Sequence, residues 1–404
     1  MKRLFRLGGG LFICSIIPIL SWIVLSFVVG DNRVSNVFSI VYAIQFVGMI
    51  LRSLFGSGAN IRHEREKDQN AVWNGILWGV VFSVLIFTVL IIFVDEYIIF
   101  FGQDVGFYRN YVIYGFLLIL LQTLLSFIIE KLYFEDKERL ATIHLFGFNF
   151  VGFIVLILSS LIIKNTLIAL ILTSCILLIY VIGLYAWQFE KFKIDFKFYK
   201  NFKYESANIM SSIFMMIIYL FGYRTVFDWG EEYIVAINLI TLCTDTQWDM
   251  QEAIRTVAKV DIAKGRYDIK RELTNSYIYT TFLVITSVIM FFVLFPSRNV
   301  RLGVCLIYLT IQFIDMFLYC FEMIIATFTQ LEYSAKLNTF IKIVLLGVRT
   351  LISVLLISPY CTEIAQLVQC VLGFVIFLIV RSLRYKVEGN KLIVKSKDIK
   401  KIPT

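Results

Sequence analysis

Long apolar runs follow one another along this chain with little between them. Twelve are read, at 11–30, 36–56, 72–94, 107–129, 140–163, 166–188, 205–227, 233–256, 272–295, 301–328, 337–357 and 361–380 of 404 residues. A helix needs about 20 mainly apolar residues to cross a bilayer, and each run reaches that length. Only 17% of the residues are charged and 59% are hydrophobic, where a soluble domain carries about 25% charged residues. No connecting segment is long enough to hold a soluble catalytic domain. The runs therefore predict an all-α integral membrane protein with 12 transmembrane helices.

The first run begins "MKRLFRLGGG" and has the basic start of a secretory signal. Its apolar part is too long for one and no small-x-small site follows, so the expectation is a retained first helix with a kink at Pro18. The three glycines at 8–10 follow no strand and make no nucleotide loop. Cys14, Cys175, Cys243, Cys305, Cys320, Cys361 and Cys370 form no C-x-x-C pair and read as small buried hydrophobes, without disulfides or structural metal.

The net charge of +9 invites a nucleic-acid reading, but the placement of the charge opposes it. With the N-terminus cytoplasmic, 28 of the 38 Lys and Arg fall on cytoplasmic segments, five on the opposite side and five within runs. That asymmetry is the positive-inside pattern. It predicts a multi-pass protein of the cell membrane with both termini cytoplasmic and no nucleic-acid partner. The tail "KSKDIKK" is expected to touch anionic lipid.

The two halves repeat. "VVGDNRVSNVFSIVYAI" after Gly30 is matched by "DWGEEYIVAINLITLCT" after Gly230, and Asp68 falls opposite Asp268, both at an offset of 200 residues. At an offset of 197, "FEDKERLATI" faces "LEYSAKLNTF". The expected organisation is an N-terminal six-helix bundle at 1–188, a basic cytoplasmic linker at 189–204, a C-terminal six-helix bundle at 205–384 and a basic cytoplasmic tail at 385–404. Six is even, so both halves enter from the same side, and a pseudo-two-fold axis along the membrane normal is expected. Two such bundles with a cleft between them suit alternating access, as a monomer.

"GSGANIRHEREKDQNA", "EAIRTVAKVDIAKGRYDIKREL" and "QFIDMFLYCFEMIIATFTQLEYSAKLN" resemble the corresponding stretches of the multidrug and toxic compound extrusion (MATE) family, within the multidrug/oligosaccharidyl-lipid/polysaccharide (MOP) superfamily. The resemblance implies a secondary transporter that exports small organic cations or amphiphiles, with Na⁺ or H⁺ as coupling ion and no cofactor. The wider group includes flippases for lipid-linked oligosaccharide or polysaccharide precursors, which gives the alternative function. Many members carry an acidic residue in helix one where this chain has Leu25, and many carry another in helix seven, where "SANIMSSIFMMIIYL" has none. The helix-ten carboxylate does match, at Asp315.

Ionisable residues inside a span are costly and mark function. Asp315 and Glu322 are seven residues apart in an apolar run, so on a helix they share a face. They are the expected cation or proton coupling residues, with Tyr319 near enough to donate to either. Asp245, Asp249 and Glu252 form an acidic stripe in the eighth run, and Arg255 is placed to pair with Glu252. Gln45 and Arg52 occupy the related positions of the first half, and Arg52 is expected to approach Asp249 or Glu252 in an inward-closed state. In the eleventh run Lys342 is expected to snorkel to the surface. Arg349 lies deeper, either neutralising an acid of the second bundle or facing the cleft. The coupling chemistry is assigned to the second half.

Enzyme chemistry finds no support. His63 and His144 form no metal spacing, and neither G-x-S-x-G nor a P-loop is present. The partners implied are the bilayer and a small organic or lipid-linked substrate.

Overall fold

The computed structural model describes residues 2–394 apart from 32, 35, 36, 228, 230, 266, 298, 299, 357, 389 and 390. For some helical and strand residues, chiefly in the first helix, in 222–249 and in 387–394, it describes the backbone alone. Contacts divide the chain into two compact units, Gly9–Leu220 and a second made of Met1–Gly8 with Phe221–Thr404.

The N-terminal unit takes most of α1 (Lys2–Val29), which contains Pro18. The second apolar run is broken into α2 (Val37–Tyr42), α3 (Gln45–Leu51), a π-helical turn at Arg52–Ser57 and α4 (Gly58–Glu66). Then follow α5 (Ala71–Ile92), the short α6 (Val94–Phe100), α7 (Val105–Phe134), α8 (Glu138–Ile163), α9 (Thr166–Gln188) and the first part of α10 (Phe202–Phe227). Gly75 sets one close crossing: a Cβ there would lie 2.5 Å from both the Ala59 Cβ and the Phe55 carbonyl oxygen. Only a residue without Cβ lets α5 approach so near.

The C-terminal unit contains α11 (Glu231–Ala263), α12 (Ile269–Leu294), α13 (Leu302–Phe328) with a π-helical end at Thr329–Tyr333, α14 (Ala335–Leu355) and α15 (Cys361–Arg384). Ala236, Leu239, Ile240, Phe291, Val304 and Tyr308 form part of its buried apolar core. The Tyr308 hydroxyl donates to the Pro359 carbonyl at 2.7 Å, so its polar end is satisfied. A short antiparallel hairpin, β1 (Tyr385–Glu388) with β2 (Lys391–Val394), follows α15 where the sequence suggested only a tail.

Among the described residues, 10 helical spans are long and apolar enough to cross a membrane. α1 and α11, of 28 and 33 residues, take the two remaining places in the series. The repeat shows at the helix starts. The Asp268 side chain caps α12 by accepting from the Arg271 N–H at 3.0 Å, and its counterpart Asp68 accepts from the Asn70 N–H at 3.1 Å ahead of α5.

The bundle limits read from the sequence describe repeat units, whereas the contact-defined units place 189–220 with the first. The segment expected as a linker lies against α4 and α5. Asn74 donates to the Lys193 carbonyl at 2.8 Å and accepts from the Asp195 N–H at 2.9 Å. The start of α10 is held likewise: buried Glu205 accepts from the Ser57 hydroxyl at 2.9 Å and from the Asn208 amide.

Candidate functional site

α13, α14 and α15 of the C-terminal unit bring four buried charges together. Asp315 is 1% exposed and Glu322 0%, both on α13, while Lys342 and Arg349, on α14, are each 7% exposed. The seven-residue spacings within each pair put like with like on one helical face, and the two faces meet. Isolated charges would be costly here, so the partners decide what the arrangement can do.

Lys342 donates to Glu322 in a closed ion pair. The snorkelling expected of Lys342 does not occur, because the carboxylate of Glu322 already satisfies its ammonium inside the bundle. The rings of Tyr319 and Phe377 lie 5.4 and 5.9 Å from the ammonium. Tyr319 thus meets the site through its ring, and Trp248 packs edge-on against it at 5.4 Å. On α15, Gly373 leaves room for Glu322: a Cβ there would collide with Oε2.

Asp315 and Arg349 are joined indirectly. Gln366 of α15 donates Nε2 to Oδ2 of Asp315 and accepts at Oε1 from Nη2 of Arg349 at 3.1 Å. Nη1 of Arg349 reaches Gln369 at 3.1 Å. Gln312 accepts from Gln366 at 3.1 Å and from the Trp248 indole at 2.9 Å. Oδ1 of Asp315, Oε2 of Glu322 and Nε of Arg349 are buried and make no hydrogen bond. One acid–base pair is therefore closed, and the other is bridged by a neutral amide. Arg349 is hydrogen-bonded to Asp315 through Gln366, and Glu363 of α15 also lies within reach of its charge.

Glu252 pairs with Arg255 one turn along α11. The side chains of Asp245 and Asp249 lie outside the described residues. Gln45 opens α3 and is half-buried. Arg52 pairs with Glu130 of α7 at 2.5 Å, inside the N-terminal unit.

Sequence reading missed the acids of that unit. Glu130 and Glu205 are 4% and 0% exposed, one near the C-terminus of α7 and the other at the start of α10. Both adjoin basic segments that read as cytoplasmic loop. The apolar flanks of "SFIIEKLYF" were the available signal for Glu130. Glu363, 8% exposed at the start of α15, accepts from the Thr362 hydroxyl at 2.6 Å and was also missed. Among the described residues, no cluster of His, Cys, Asp and Glu could hold a metal ion. Among the described residues, Cys243, Cys305, Cys320, Cys361 and Cys370 are buried and Cys175 is exposed, and none of these six is in a disulfide.

No protein-family model matches the chain, and no curated protein matches it in sequence. Solved structures do. A MOP superfamily transporter from Pyrococcus furiosus, described as having a binding pocket of reverse polarity that suggests a different function, matches with a TM-score of 0.69 at 13% identity. The alignment covers 94% of this chain and 95% of that one. The Vibrio cholerae MATE transporter VcmN in its bent form gives a TM-score of 0.68 at 12% identity, over 94% and 95% of the two chains. The MATE transporter ClbM in complex with Rb⁺ gives 0.65 at 12% identity, over 96% and 95%. At such identities the likeness is one of fold: the chain has the fold of the MATE transporters of the MOP superfamily.

Proposed function

We propose that this protein is a secondary transporter that moves small organic or amphiphilic substrates across the cell membrane by alternating access, driven by Na⁺ or H⁺. The observation that carries the coupling is Asp315. It is sealed inside a span, Gln366 links it to Arg349, and its Oδ1 makes no hydrogen bond among the described residues. A carboxylate so placed is favoured either protonated or with a bound cation. Loading and unloading it changes the charge of the bundle and so biases the conformations available. Glu322, already neutralised by Lys342, acts as a secondary ligand or relay.

The test is transport in vesicles under an imposed Na⁺ or H⁺ gradient. Asp315→Asn keeps folding and insertion but loses gradient-driven transport, and Glu322→Gln only weakens it. Normal gradient-dependent transport by Asp315→Asn makes the carboxylate structural. The alternative, a flippase for lipid-linked oligosaccharide or polysaccharide precursors, draws on the buried guanidinium of Arg349, whose Nε makes no hydrogen bond and whose Nη1 and Nη2 donate to the amides of Gln369 and Gln366. Gradient-independent movement of a lipid-linked saccharide by the Asp315→Asn protein favours that reading.

A further inference from the structure

The segment between α9 and α10, "FEKFKIDFKFYKNF", is a strap with two unlike sides. Its backbone is tied down. Besides the two bonds from Asn74, the Lys193 N–H donates to the Asn70 side chain at 3.0 Å and the Trp78 indole donates to the Asp195 carbonyl at 2.8 Å. Arg62, 1% exposed, donates to the Lys197 carbonyl at 2.8 Å and to Asn201 at 3.2 Å. Asn70, Asn74 and Trp78 fall on one face of the first turns of α5. The strap thus runs along α5 for about 12 Å, the rise of eight helical residues, at the end of the span.

The acidic residues of the strap are taken up by the bundle. Glu190 pairs with Lys131 at 2.5 Å, and Asp195 lies 3.8 Å from Arg62. The lysines are turned out: Lys191, Lys193, Lys197 and Lys200 of the strap, and Lys203 in the first turn of α10, are all exposed. Between them stand large apolar side chains, Phe189 at 59% exposure, Ile194 at 66%, Phe196 at 69% and Tyr199 at 65%. A solvated loop has no use for such a row, and water disfavours it. At the rim of a bilayer the same row has a place. The rings enter the headgroup and upper acyl region while the lysine stems reach the phosphates.

We propose that this strap is a binding surface for anionic phospholipid, held in register by Arg62 and Asn74. Its pairing scheme gives the charge complementarity, because inward pairing of Glu190 and Asp195 leaves an outward face of lysines alone. Each basic side chain near an anionic leaflet adds to binding, and the effect is screened by salt.

The experiment uses the full chain in detergent, titrated with phosphatidylglycerol or phosphatidylcholine while the thermal unfolding midpoint is followed. Phosphatidylglycerol raises the midpoint, phosphatidylcholine does not, and added NaCl erodes the difference. Replacing all five lysines by Gln raises the phosphatidylglycerol needed for the same shift by about tenfold or more. Replacing Lys259, Lys264 and Lys270 leaves it unchanged. Circular dichroism confirms folding, and Lys197→Gln with Lys200→Gln provides a milder variant with a smaller loss. Equal response to the two lipids, or a wild-type response from the five-lysine variant, overturns the proposal. A shift produced equally well by inorganic phosphate also overturns it, in favour of a simple ion site.

Discussion

Lys342 and Glu322 form an ion pair between α14 and α13 with side chains 9% and 0% exposed. Breaking such a pair from one side leaves a bare charge in the bundle and costs about 3–5 kcal/mol. Lys342→Met is therefore expected to lower thermal stability in detergent sharply. Lys342→Met combined with Glu322→Gln recovers much of the loss, because both charges are then gone. Additive losses in the double-mutant cycle would show that the two residues do not interact.

Gly373 gives a test of opposite sign from ordinary helix behaviour. Gly→Ala inside a helix usually stabilises, by about 1 kcal/mol. At Gly373 the new methyl meets the Glu322 carboxylate, so Gly373→Ala is expected to destabilise by about 1–3 kcal/mol. Gly347 has open space around its Cβ position and serves as the control, where Ala is neutral or stabilising. A Gly373→Ala protein as stable as Gly347→Ala would mean that Glu322 is free to move aside.

Both observations bear on how much was legible in advance. The apolar runs and the repeat led to the helices, because lipid demands that a spanning segment be helical and long enough. Asp315 and Glu322 stood out because a carboxylate amid Phe, Ile and Met has no other excuse. Their partners did not. A lysine near the end of a span reads as one that reaches the surface, and nothing local in "FIKIVLLGVRT" says that Lys342 turns inward to an acid 20 positions away. Gln312, Gln366 and Gln369 carry no charge and attract no notice in a sequence, yet Gln366 links Asp315 to Arg349, with Gln312 bonded to Gln366 and Gln369 to Arg349. The acids Glu130 and Glu205 were lost for the reverse reason: each borders a basic loop, and only the packing of α7 and α10 buries them.

The Gln366 bridge makes its own demand. Gln366→Leu removes the donor to Asp315 and one acceptor of Arg349 together, leaving two buried charges with fewer hydrogen bonds. A loss of about 1–3 kcal/mol is expected for each such group left bare. In vesicles, gradient-driven transport by this variant is expected to fall while Gln366→Glu, which offers Arg349 a carboxylate but denies Asp315 its donor, falls further. Unchanged transport in both variants would separate Asp315 from the Arg349 network.

Asp68 offers a pH-dependent test outside the spans. Burial by itself raises the affinity of its carboxyl for protons, but Arg62, bonded at 2.5 Å, outweighs that, and the pKa falls below the ordinary 3.8. A group whose pKa is lower folded than unfolded stabilises the fold at pH above its unfolded value. That contribution is lost as pH falls through the lowered folded value. The wild-type protein is therefore expected to lose stability on acidification below about pH 4, the range in which an unperturbed Asp takes up its proton. Asp68→Asn removes this part of the slope and lowers stability at neutral pH, because Arg62, which also holds the strap through Lys197 and Asn201, loses the nearest of its charged partners. Thermal midpoints of the two proteins, measured from neutral pH into the acid range, should converge at low pH. A constant gap at every pH would assign the effect of the substitution to packing and remove the Arg62–Asp68 pair as its cause.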